Sequence, residues 1–136
     1  MTAWLGVVSA EHVARAIALG IAQIGHGKRA GLARMRRGDT LIYYSPTRRF
    51  GDGLPLRQFT AVGTISGDEI WQADEGDFHP FRRAVEYRNA HPVALETLKD
   101  ALELTQQPNW GYQLRLRLIP LSATDAESIE AAMMQP

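Results

Sequence analysis

The sequence predicts an α/β protein of the α+β type, a small curled mixed sheet or open β-barrel with flanking helices, and three observations lead there. Strand-like runs predominate in the middle of the chain, the helical stretches are too few for a doubly wound sheet, and 136 residues suffice for one buried core. The whole span, 1–136, is therefore expected to form a single domain.

Trp4 to Ser9 is a short apolar run ended by a capping residue, which predicts a buried strand. Ser9 then opens a helix over Ala10 to Leu19. Glu11 sits in its first turn, where the macrodipole favours a carboxylate, Val13 and Ile17 share a face, and Gly20 supplies the stop. Ile21 to Gly31 carries three glycines around His26, Lys28 and Arg29, a loop whose backbone can approach a ligand closely. Leu32 to Arg36 predicts one helical turn before Gly38. Asp39 to Ser45 alternates as a strand with Leu41 and Tyr43 on one face and Ile42 and Tyr44 on the other, so both faces must be covered. Pro46 is expected to end it, and Thr47 to Gln58 reads as a polar loop with several arginines.

Phe59 to Ser66 predicts a second alternating strand, in which Gly63 marks a bulge or a close backbone contact. Arg83 to Arg88 predicts a short strand, His91-Pro92 breaks the chain, and Leu95 to Leu104 predicts a short helix or two ending before Pro108. Leu114, Leu116 and Leu118 alternate with Arg115 and Arg117, which predicts a half-buried strand stopped at Pro120. Thr124 and Glu127 read as a capping box for a last helix in which Ile129 and Met133 are four apart.

The absence of cysteine excludes disulfides, zinc-thiolate sites, iron–sulfur clusters and thiol nucleophiles. No apolar run reaches the roughly 20 residues that cross a bilayer, and Met1-Thr2-Ala3-Trp4 lacks the basic start of a signal peptide. The expectation is a cytoplasmic protein with no membrane partner. The formal net charge of +0 hides an asymmetry. Lys28 to Arg57 is rich in Lys and Arg, whereas Asp68 to Asp77 carries five acids and no base. A basic face beside an acidic one suits local, reversible binding of a polyanion, and equally suits two solvated loops.

Several chemical signatures fail. Gly25-His26-Gly27 with Ala30 lacks the strand and long helix of a dinucleotide site, and Gly27-Lys28 lacks both the first glycine and the hydroxyl residue of a phosphate loop. His12, His26, His79 and His91 show no metal-ligand spacing, and no serine stands in a nucleophile elbow. No metal or cofactor is called for. What survives is a set of rings and cations at element ends: Trp4, Tyr43, Tyr44, Phe81 and Trp110 with Lys28, Arg29, Arg82 and Arg83. Rings stack on bases at about 1–3 kcal/mol each and cations neutralise phosphates, although rings of this kind also serve simply as core.

Trp4-Leu5-Gly6-Val7-Val8-Ser9, His26-Gly27-Lys28, Gly38-Asp39, Tyr44-Ser45-Pro46, Phe59-Thr60-Ala61-Val62-Gly63, Pro80-Phe81-Arg82-Arg83 and Trp110-Gly111 occur in an order that resembles the EVE domain family. The resemblance implies a PUA-like fold, kinship with the YTH and ASCH domains, and a non-catalytic module that recognises a modified base in DNA or RNA. The base, methylated or hydroxymethylated, would be single-stranded or flipped out. A restriction or RNA-modification system protein is the implied partner. Carried onto this chain, the resemblance puts the pocket where Val8 and Ser9 meet the loop His26, Gly27 and Lys28 and the strand end Tyr44, Ser45 and Pro46. Phe81, Arg82 and Arg83 would close one side, with Trp110 at the margin. Two alternatives stay open. One is an ASCH-like hydrolase of a modified nucleoside using Lys28 beside His26, against which no carboxylate lies near Lys28 in sequence. The other is an interaction module with a side-chain-filled pocket.

Overall fold

Ala3–Val7 forms the first strand, β1, buried from Ala3 to Gly6 and half-buried at Val7, with neighbouring strands on both sides of it. The computed structural model describes residues 2–135; Met1 and Pro136, the ends of the expected 1–136 span, lie outside the described residues. Helix α1, Ala10–Leu19, matches its predicted bounds. The Ser9 hydroxyl accepts from the His12 amide at its start, and Gly20 takes the left-handed conformation at its end. Ile17, expected on the buried face with Val13, is instead 44% exposed, since α1 turns only Val13 and Ala16 fully inward.

The glycine-rich stretch holds a two-residue strand, β2 (Ile21–Ala22), a 3-10 turn at Gly25–Gly27, and helix α2 (Arg29–Arg34). Strand β3, Thr40–Thr47, runs through Pro46 rather than ending there, because Pro46 makes no ladder bond and pairing resumes from Ser45↔Gln58 to Thr47↔Pro55 across a bulge. Strand β4, Pro55–Gln72, extends far beyond Phe59 to Ser66: its first half pairs with β6 (Val93–Ala94) and its second with β5 (Phe81–Tyr87). Gly63 is required by close approach, as a Cβ there would sit 2.8 Å from the Glu86 carbonyl oxygen. Helices α3 (Leu95–Leu98) and α4 (Trp110–Gln113) follow, then a 3-10 turn at Leu114–Leu116, strand β7 (Leu118–Leu121) and helix α5 (Ala123–Met134).

The strands make one open mixed sheet in the order β2-β5-β4-β3-β1-β7, with β6 beside β4; β1 and β3 are parallel and the other pairs antiparallel. Helices flank both faces. Leu5, Ile42, Tyr44 and Phe59 pack with Leu95, Leu102, Ile129 and Met133 on one face, and Trp4, Leu41 and Tyr43 pack with Val13, Leu32 and Met35 on the other. The alternation in β3 thus serves two cores.

Two predicted elements are corrected. The strand expected at Leu114 to Leu118 is mostly a tight turn: Arg117 has φ +69°, Leu116 is exposed, and only Leu118 onward joins the sheet, carrying Pro120 on its way. The cap of α5 is Ser122, whose hydroxyl accepts from the Asp125 amide, not Thr124. The Asp125 carboxylate bonds instead to the Glu103 and Leu104 amides.

Candidate functional site

The parallel pair β1 and β3 ends on the same side of the sheet, and a cleft of about 310 Å³ opens beyond those ends. Ligands in α/β sheets gather at the carboxyl ends of parallel strands because the chain leaves there in diverging directions. Val8 keeps to the sheet by donating to the Tyr44 carbonyl, and Val7 donates to the Arg117 carbonyl. The chain from Val7 to Ser9 therefore forms one wall. Pro46 and Thr47 form the second, Gln23, Gly25 and His26 the third, and Leu114, Arg115 and Arg117 the fourth.

The polar groups at this cleft have defined hydrogen-bonding roles. His12 Nε2 lies 3.0 Å from the Gln23 carbonyl, which only accepts, so Nε2 carries the proton and Nδ1 of the neutral ring is an acceptor. Burial lowers the His12 pKa from 6.5, only partly offset by that carbonyl, so the ring is neutral near pH 7. Gln23, 4% exposed, receives Arg82 Nε on its Oε1 at 2.9 Å, which leaves its amide NH₂ as a donor. The Ser9 hydroxyl accepts the His12 amide and retains its own proton to give.

Two rings stand at the cleft. His26 holds φ +59° between two glycines that also have positive φ, a conformation that turns the imidazole outward. Phe50, from the loop after β3, is 82% exposed and meets His26 edge to face at 5.6 Å between centroids. Arg115 and Arg117 have no carboxylate within ion-pair distance among the described residues. Arg49, beyond Phe50, is paired with Glu11.

Of the residues singled out from the sequence, Val8, Ser9, His26 and Pro46 line this cleft. Gly27 lies beneath it, packed so closely that a Cβ would stand 2.7 Å from the Pro80 side chain, and Lys28 faces an adjoining groove of about 280 Å³. The others are elsewhere, for reasons of strand geometry. Tyr44 and Ser45 belong to a central strand covered on both faces. Tyr44 packs edge to face on Phe59 within the first core and Ser45 bonds Thr60 at 2.7 Å. Phe81 packs against the second core. Arg82 reaches the cleft only through Gln23, and its other end meets Glu75 at 2.7 Å. Arg83 is buried and donates to the carbonyls of Leu32, Met35 and Gly67. Trp110 packs beside the first core with Lys99 over its ring. Trp4 is likewise structural, its indole donating to Asp39, whose carboxyl burial would raise but bonds from Trp4, Arg36 and Thr2 hold below its ordinary value.

Sequence reasoning passed over His12, Gln23, Phe50, Arg115 and Arg117 as cleft residues. Phe50 had one signal, an isolated ring in an arginine-bearing glycine loop, and the arginines of the Leu/Arg run had another. Among the described residues, no three His, Cys, Asp or Glu are grouped to hold a metal, and no helix is long and apolar enough to cross a membrane.

A sequence model of the EVE domain matches residues 2–132. A UPF0310 protein of Renibacterium salmoninarum is 48% identical over 130 residues, covering 96% of this chain and 94% of its own. The UPF0310 protein YdcG of Bacillus subtilis is 39% identical over 132 residues, covering 96% and 90%. Among solved structures, Rpa0253 from Rhodopseudomonas palustris aligns with a TM-score of 0.62 at 18% identity over 100% of this chain and 97% of its own. The N-terminal domain of Staphylothermus marinus McrB aligns with a TM-score of 0.57 at 15% identity over 95% and 93%. At these identities the two structures speak for the fold alone.

Proposed function

The chain belongs to the EVE domain family, and from that membership together with the cleft we propose that it is a non-catalytic module that binds nucleic acid by taking one modified base into the cleft. The whole chain acts as one PUA-like unit in this reading. The observation that carries it is the convergence, at the ends of two parallel strands, of two rings, three neutral polar groups and two unpaired guanidinium groups. Rings offer stacking to a flat heterocycle, Gln23, His12 and Ser9 offer donors and acceptors to its edge, and Arg115 and Arg117 offer charge to the backbone. At about 310 Å³ the cleft is at the small end of ligand sites, suited to one base rather than a duplex.

A paired base must first leave its stack at a cost of a few kcal/mol, so single strands or a duplex opened by a partner protein are the natural targets. A methyl group adds only about 0.8 kcal/mol of burial, so selectivity rests on shape and on polar groups left unpaired by the wrong base. The hydrolase alternative is weaker because Lys28 opens on the adjoining groove rather than into the cleft.

Fluorescence titration of single-stranded oligonucleotides, with and without one methylated or hydroxymethylated base, tests the reading. A preference for the modified base is expected, and Phe50→Ala and His26→Ala should each cost about 1–3 kcal/mol of binding. Equal affinity for modified and plain strands, or no binding at all, overturns it.

A further inference from the structure

Two side grooves adjoin the cleft, and they differ in charge. One shares Gly25, His26 and Arg117 with the cleft and continues past Lys28, Gly31 and Arg34. The other shares Ser9, His12 and Phe50 with it and continues past Glu11, Arg15 and Arg49. On the second side each arginine is already matched, Arg15 by Glu75 at 3.0 Å and Arg49 by Glu11 at 3.3 Å. On the first, Lys28, Arg34 and Arg117 have no carboxylate within ion-pair distance among the described residues. Arg34 is held in place there, with its guanidinium 5.0 Å above the Trp4 ring and one nitrogen donating to the Leu118 carbonyl.

Resting on the base-binding reading, we infer that the first groove is a phosphodiester site. The strand leaves the cleft in one direction only, over Gly25 and His26, and places the phosphate next to the bound nucleotide between Lys28, Arg34 and Arg117. Anchoring supports this placement: Arg34 is pre-oriented, so little side-chain freedom is lost when it meets an anion, and a charge-assisted bond there is strong. A phosphate on the opposite side would have to break existing ion pairs and would meet Glu11 and Glu75. The preferred ligand is therefore an oligonucleotide with a phosphate on one defined side of the base, not a free nucleoside.

The test uses the full chain, calorimetry and amide-resolved NMR, with 5-methyl-2′-deoxycytidine and N6-methyladenosine as free nucleosides and as 5′- and 3′-monophosphates, and an abasic oligonucleotide as a probe of the groove alone. One of the two phosphate positions should tighten binding about tenfold over the nucleoside. Lys28→Ala should erase that gain and Arg49→Ala keep it, and the abasic strand should shift the amides of Lys28 and Gly31. If nucleosides bind and neither phosphate adds affinity, or if Arg49→Ala removes the gain, the groove assignment falls while base binding stands. If no nucleoside binds but the abasic strand still shifts those amides in a Lys28-dependent way, base binding falls and the phosphate groove stands. No binding of either probe sinks both.

Discussion

His12 and Gln23 set the hydrogen-bonding character of the cleft through each other: the histidine donates to the glutamine's backbone, and the glutamine's side chain is fixed by Arg82. Neutral His12 has a measurable consequence. Its pKa is lowered in the folded protein, chiefly by burial, so the unfolded chain takes up a proton first as pH falls below 6.5. The unfolded state then binds more protons than the native state, and stability declines through that window. The urea midpoint should fall between about pH 7.5 and about pH 5.5, and His12→Gln should flatten the decline. Parallel curves for the two proteins would contradict a half-buried neutral ring. The Tyr43 phenol, which is fully buried, is pushed up to about 12 by burial, and its hydroxyl lacks a partner with hydrogen-bond geometry although Tyr87 and the Gln23 backbone lie close by.

Between elements, Arg83 is the clearest tie, since one side chain on β5 joins the end of α2 and the bend of β4 through three carbonyls at 2.7–2.9 Å. Arg83→Ala would strand the buried Met35 carbonyl and leave the Leu32 carbonyl only the Met35 amide, so a loss of about 1–3 kcal/mol in urea unfolding is expected. Nucleic-acid affinity of the folded protein should hold. Weakened binding with unchanged stability would return Arg83 to the ligand. At this scale the limits of legibility are also plain. The bounds of helix α1 can be read to the residue because cap, first-turn acid and terminal glycine all coincide, although the apolar spacing misplaces Ile17. The Leu114 to Leu118 run misleads because three leucines at alternate positions fit a short turn as well as a strand, and only tertiary contact decides. Tyr44 misleads for a related reason: a ring near a strand end looks available until the second covering layer, supplied by residues about 50 to 90 positions later, is known.

For the whole molecule, the charge asymmetry of the sequence becomes a spatial one. Two acids of the acidic stretch are matched to arginines, Glu75 to Arg15 and Arg82 and the exposed Asp68 to Arg37. Arg115 and Arg117 border the cleft, and Lys28, Arg34 and Arg117 its adjoining groove, although Arg115 and Arg117 lie far outside the Lys28 to Arg57 cluster that marks the sequence as basic. The fold class, the order of its elements and one rim of the cleft are legible along the chain. The opposite rim is not, because it arrives from the C-terminal third through the sheet's open edge. Binding should weaken as salt rises. Arg115→Ala should lower affinity alike for all sequences and reduce the logarithmic salt slope by about one, while Arg37→Ala, already matched by Asp68, should leave the slope unchanged. Identical slopes for both variants would remove Arg115 from the backbone path.

The floor under His26 is braced from two directions, with Gly27 seated against Pro80 and Phe78 and Gln23 tethered through Arg82 to Glu75. A ligand that pushed this floor aside would have to lever the entire acidic hairpin with it. On the proposed reading the cavity would act as a rigid gauge rather than a glove: a base of the wrong outline would be turned away at the mouth, and adaptability would reside in the exposed arm that carries Phe50.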